Sequence, residues 1–149
     1  MTRHGCALTP KQRREEALLR EARQWNDDLR WARWEVVRES LPPDDARLFA
    51  ERAALIGDDL MMADSEVTQI AFGQPSIKAL VTVKIDWYTK RDMTVRSTTL
   101  QQRWEQRDGR WLMVEQRRTR GARFPLVTEP ADLKAGGNGD APPAGLPAR

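Results

Sequence analysis

Cysteine is almost missing from this chain. Cys6 is the only thiol among 149 residues, which excludes a disulfide framework and a paired-cysteine zinc motif. Histidine is equally scarce: His4 is the sole imidazole and sits in the expected N-terminal tail, so the body of the chain has no histidine for acid-base chemistry. No segment approaches the roughly 18 consecutive apolar residues of a membrane span, and MTRHGCALTP lacks the apolar run of a signal peptide. Neither charge dominates. Lys and Arg number 25 against 22 Asp and Glu, a net +3, and so small a surplus among mixed charges is not the footprint of a nucleic-acid binder. Tryptophan, by contrast, is plentiful, with six residues. A chain of this size buries roughly 70% of its extended surface, enough for one domain with a true core.

Thr9, Pro10 and Gln12 predict a helix start, with Thr9 as N-cap, Pro10 in the first turn and Thr-x-x-Gln as a capping box. Leu18, Ala22, Trp25, Leu29, Ala32 and Val36 then follow at helical spacing and predict one long helix with a narrow apolar stripe. Trp31 and Trp34 fall on its opposite side, which predicts a second covered face. Leu41-Pro42-Pro43 ends it. Asp44 or Asp45 is the expected cap of a second helix carrying Leu48, Phe49, Ala53, Leu55 and Ile56, and Gly57 is its expected stop.

Beyond Gly57 the period changes from helical to alternating. Glu66 to Phe72 reads as a strand, Gly73-Gln74-Pro75 as a break, and Ile77, Ala79, Val81, Val83, Ile85 and Trp87 as the apolar side of a long half-buried strand. Lys90-Arg91-Asp92 predicts a turn into a partner strand. There Met93 and Val95 hold one parity and Leu100 and Trp104 the other, which predicts a β-bulge between them and a strongly curved sheet. Asp108-Gly109 predicts a two-residue type I′ hairpin loop, with Gln106 opposite Trp111 and Trp104 opposite Met113. In that register Trp104, Trp111 and Met113 share one face. The expected organisation is a flexible tail over 1–8, a single α+β domain over 9–124 with N-terminal helices packed on the curved antiparallel sheet, and a disordered tail over 125–149. That last stretch holds five of the nine prolines and almost no bulky apolar residues.

Two helices, a short strand and a bent meander closing on W-x-x-x-x-D-G-x-W resemble the nuclear transport factor 2-like superfamily, whose cone-shaped fold is shared with ketosteroid isomerase. LVTVKIDWYT and TTLQQRWEQRDGRW carry the resemblance, which runs from about Thr9 to Arg120. Within that superfamily, LRWARWEVVRESLPPDDARLFAERAALIGDDLMMADSEV is similar to uncharacterised bacterial envelope lipoproteins, whose Gly-Cys start Gly5-Cys6 resembles. The resemblance implies a homodimer through the outer face of the sheet, to which the sequence itself adds Thr82, Thr98 and Thr99 as residues for a flat polar contact. It also implies Cys6 as a lipidation residue. The chain as it stands is expected in the cytoplasm, and acylation of Cys6 would place it at the membrane of the cell envelope.

Two classes of function fit these residues. The first is a non-catalytic module that binds a small apolar molecule or another protein, with Trp25, Trp34, Trp104, Trp111 and Met113 walling an interior pocket; solid core packing is the competing reading of the same side chains. The second is a small isomerase-like or dehydratase-like enzyme using a cavity carboxylate, either Glu115, which shares the predicted face of Met113, or Asp86, beside Tyr88. Strand parity places Asp86 with Lys84 and Thr82 on the polar outer face, and Glu115 has Arg103 and Arg117 as candidate ion-pair partners. Asp58, Asp59 and Asp64 lack the spacing of a calcium loop, so no metal and no cofactor are expected. The basic run from Arg117 to Arg123 reads as a solvated strand end.

Overall fold

A computed structural model describes residues 7–127. Three helices precede four strands: α1 Pro10–Arg30, α2 Trp34–Arg38, α3 Pro43–Ile56, β1 Leu60–Phe72, β2 Lys78–Thr89, β3 Arg96–Arg107 and β4 Arg110–Gly121. The strands form one antiparallel meander in the order β1-β2-β3-β4, open at both edges. The architecture is therefore α+β, with α1 laid against β1 and β4 on one face of the sheet.

Helix α1 begins where its capping residues place it. The Thr9 hydroxyl accepts from the Gln12 backbone N–H at 3.1 Å and the Gln12 side chain accepts from the Thr9 N–H at 2.9 Å, which satisfies two of the orphan donors of the first turn. Leu18, Ala22, Trp25 and Leu29 are buried, and each large apolar side chain so placed contributes about 1.5–3 kcal/mol.

The helix then stops earlier than its stripe suggests. Ala32 takes a left-handed φ of 61°; its N–H bonds the Leu29 carbonyl at 3.2 Å and the Arg33 N–H bonds the Asp28 carbonyl at 2.8 Å, the paired closure of a Schellman motif. Ala32 and Val36 consequently leave the stripe, and Val36 is exposed. Trp31 is also exposed, with the Arg30 guanidinium 5.0 Å from its ring centre, and Trp34 restarts the chain as α2, half-buried edge-on to Phe49 at 5.7 Å. Glycine is the residue that fits a left-handed C-terminal position without strain, so Ala32→Gly is expected to stabilise the fold by about 0.5–1 kcal/mol. A urea midpoint that stays put would show that this bend carries no strain.

Helix α3 differs from expectation at its start: Pro42 is the N-cap, no side chain caps the first turn, and Asp44 and Asp45 lie inside it. Gly57 ends it as expected, and Phe49, Ala53 and Ile56 face the core while Leu55 is exposed.

In the sheet, β2 alternates as expected, with Ala79, Val81, Val83, Ile85 and Trp87 buried, although Ile77 lies outside it and is exposed. Its pairing with β3 is regular from end to end. The bulge expected between Val95 and Leu100 is not there; Met93 and Val95 belong to an exposed loop before β3. The extra residues sit in the two outer strands, at Ala63 and Thr68 of β1 and at Val114 and Thr119 of β4, each skipped by the ladder. A bulge of this kind bends its strand and increases its twist. The β3–β4 hairpin has the expected register, Gln106 opposite Trp111 and Trp104 opposite Met113, around Asp108 and Gly109 with φ of 52° and 76°. Both positive angles meet the requirement of a type I′ loop.

The domain boundary expected at 124 falls short. Phe124, Pro125, Leu126 and Val127 are all buried, Phe124 lies edge-on to Trp87 at 5.5 Å, and Arg52 donates to the Val127 carbonyl at 2.8 Å. The rest of the expected tail, with the N-terminal segment that holds His4 and Cys6, lies outside the described residues.

Candidate functional site

The space between α1 and the hairpin face is occupied by interlocked side chains. Trp104 is fully buried, with its ring edge-on to Trp25 at 6.5 Å, and Met113 opposite it is buried as well. Their polar atoms are matched with the same economy. Trp25 Nε1 donates to the Val37 carbonyl at 3.0 Å. Trp104 Nε1 donates to Gln102 Oε1 at 3.3 Å, while Gln102 Nε2 donates to Asn26 Oδ1 at 3.0 Å and Gln116 Oε1 at 3.1 Å. Asn26 Nδ2 in turn bonds the Ala22 carbonyl at 2.8 Å and Gln102 Oε1 at 3.3 Å. Three buried amides thus form one chain of hydrogen bonds from α1 across β3 to β4. Neither Asn26, Gln102 nor Gln116 stands out in the sequence, because a lone amide in a strand or helix reads as surface.

Both carboxylates considered for chemistry are on the other side of the sheet. Asp86 accepts from the Ser97 hydroxyl at 2.5 Å on the outer face, as its parity predicts. Glu115 is a correction: the bulge at Val114 pairs it with Arg103 instead of Gln102, so it leaves the face of Trp104 and Met113 and ion-pairs with Arg103 at 3.0 Å. Gln116 takes the inward place. Thr98 also turns inward, fully buried, accepting from Trp87 Nε1 at 2.9 Å and donating to the Ala122 carbonyl, which removes it from the outer-face trio and leaves Thr82 and Thr99 there. Asp59 accepts from the Arg91 backbone N–H at 3.0 Å and holds the loop after β2, and Asp64 faces Arg30 at 3.8 Å.

Two acids are buried among the described residues: Asp28, held by Gln24 and Arg33, and Asp45, which the sequence offered only as a cap. Asp45 in the first turn of α3 is buried, and loss of solvent, reinforced by the charges of Asp44 and then Glu115, raises its carboxyl above the ordinary 3.8. The folded state therefore binds this proton more tightly than the unfolded chain, and stability falls as pH rises from 3.8 through the folded value. Asp45→Asn is expected to be more stable than wild type at neutral pH and to lose that advantage as pH falls towards 4. Thermal melts of the two proteins across that range, with a constant difference, would remove Asp45 as the cause.

The open space lies beside the tryptophan wall. A groove of about 840 Å³ runs between α1 and the hairpin, with Ala17, Arg20 and Arg23 on the helix side and Gly109, Arg110 and Trp111 on the hairpin side. Trp111 is buried in the floor: Nε1 donates to the Arg14 carbonyl at 2.9 Å and Phe72 packs on the ring at 6.4 Å. A smaller cavity of about 360 Å³ continues past Ala17 and Gly109 towards Leu8 and Arg13. Of the five tryptophan and methionine positions expected to wall a pocket, Trp111 is the one on this groove. Trp25, Trp104 and Met113 lie in the core, and Trp34 packs on Phe49 instead.

No protein-family model matches the chain, and comparison with curated proteins found no match. Among the described residues no helix is long and apolar enough to cross a membrane.

Proposed function

We propose that this domain is a non-catalytic small-ligand-binding module built on a cone of the nuclear transport factor 2-like kind, and that its ligand lies in the groove between α1 and the β3–β4 hairpin. The groove over Trp111 carries this reading. Its size is that of an ordinary small-molecule site, and it sets a rigid aromatic floor beside polar walls. Supporting it, the two acids that suit a cavity chemistry point to the outer face, where each already has a partner. The outer face, with Thr82 and Thr99 on it, is the proposed surface for pairing two copies; sedimentation that finds monomer alone at high concentration would exclude the pair.

The binding reading is tested with N-phenyl-1-naphthylamine, an uncharged apolar fluorophore. Saturable binding is expected, and Glu21→Trp, which fills the groove from an exposed helix position, is expected to weaken it at least tenfold without lowering the melting temperature. No saturable binding to the wild type, or equal binding to both proteins, overturns the proposal.

A further inference from the structure

The groove is lined by an excess of positive charge. Among the described residues, Arg20, Arg23 and Arg110 line it and make no ion pair and no side-chain hydrogen bond. Many other arginines of the domain are engaged, among them Arg14 on the Ser76 carbonyl, Arg33 on Asp27 and Asp28, Arg96 on Asp92, Arg103 on Glu115 and Arg107 on Glu105, while among the described residues Arg13, Arg117 and Arg120 are unpaired like the groove arginines but do not line this groove. Two carboxylates also border the groove, Glu21 and Asp27. Asp27 is held by Arg33 at 3.3 Å, which leaves three guanidiniums facing one unengaged carboxylate.

Arg20 and Arg23 are one turn apart on α1 and so point the same way, while Arg110 begins β4 on the opposite wall. Like charges gathered on both walls of a concave surface repel one another and raise the local positive potential. A guanidinium offers parallel donors that match a carboxylate, sulfonate or phosphate oxygen pair. Resting on the reading of this groove as the ligand seat, we propose that the ligand is a small organic anion. Its acidic group is held by Arg20, Arg23 and Arg110, and its apolar body rests on Ala17 and the edge of Trp111.

Two fluorophores with the same aromatic body separate this claim from the one beneath it. 8-Anilinonaphthalene-1-sulfonate differs from N-phenyl-1-naphthylamine by a sulfonate. The wild type is expected to bind the sulfonate at least tenfold more tightly at low salt, a margin that narrows as sodium chloride is raised. In Arg23→Gln/Arg110→Gln the two probes are expected to bind alike, and octanoate is expected to displace the sulfonate from the wild type where octanol at the same concentration does not. Equal affinities in the wild type, or a margin that survives in the double variant, overturn the anion while leaving the groove as an apolar seat. Loss of both probes from the wild type overturns both readings.

Discussion

Replacing Leu126 and Val127 together with alanine is expected to cost about 3–5 kcal/mol. The two side chains are 1% and 2% exposed, and truncating a buried leucine alone typically costs 2–5 kcal/mol because the lost transfer energy is joined by an unfilled cavity. The Arg52 hydrogen bond to the Val127 carbonyl uses the backbone, so the double variant leaves it in place and the loss reports on packing. A small domain has only about 5–15 kcal/mol to lose, and the melting temperature is expected to fall by about 10 °C or more. An unchanged melting temperature would mean that the segment after Phe124 contributes nothing to the fold, as its Pro-rich composition alone suggests.

The second large effect belongs to the buried amides. Gln102→Leu keeps nearly the same volume but strands the Trp104 indole N–H, Asn26 Oδ1 and Gln116 Oε1, which all bond Gln102. A buried polar atom left without a partner costs about 1–3 kcal/mol, so a loss of about 3–5 kcal/mol is expected once partial relaxation is allowed for. Asn26→Leu should also be costly alone, yet the pair Asn26→Leu/Gln102→Leu should lose clearly less than the two single losses added, because each change removes a group the other had orphaned. Strict additivity in urea titrations would show that the three amides are independent surface-like contacts.

What the sequence disclosed follows the regularity of its periods. β2 and the hairpin turn were legible because Ala79 to Trp87 alternate without interruption and Asp108-Gly109 allows few other loops. β1 was half legible: its inward residues Met62, Ser65, Val67, Ile70 and Phe72 lie opposite the apolar face of β2, at spacings of three, two, three and two. The two threes are the bulges at Ala63 and Thr68. A search for period two therefore finds only the stretch from Val67 onward.

The same arithmetic misplaced Glu115. Met113 and Gln116 both face inward at an odd spacing because Val114 is an extra residue, so parity counted from Met113 points the Glu115 carboxylate at the core in place of the Gln116 amide. The early end of α1 was hidden for a different reason: the left-handed residue is Ala32, and alanine is the strongest helix former. As for the site, five aromatic and sulfur positions were chosen by size. The groove wall is made instead of Arg20 and Arg23 on α1 and Arg110 on β4, which look like ordinary surface until the fold brings them together.

All four bulges lie on the outer strands, and this shapes what the sheet does in a crowded solution. A straight rim with evenly spaced donors and acceptors is a template on which a further strand, from this chain or a neighbour, can add, and repetition of that step leads to fibres. On β1 and β4 the two extra residues throw the spacing out of step twice in about a dozen residues. A straight strand docking on either rim meets a mismatch before it has made more than a few bonds. The regular β2–β3 pair, the part of the sheet best suited to recruit such a strand, is shielded on both sides by its own irregular neighbours. Deleting Ala63 or Thr119 would therefore be felt most in how readily the protein polymerises during refolding.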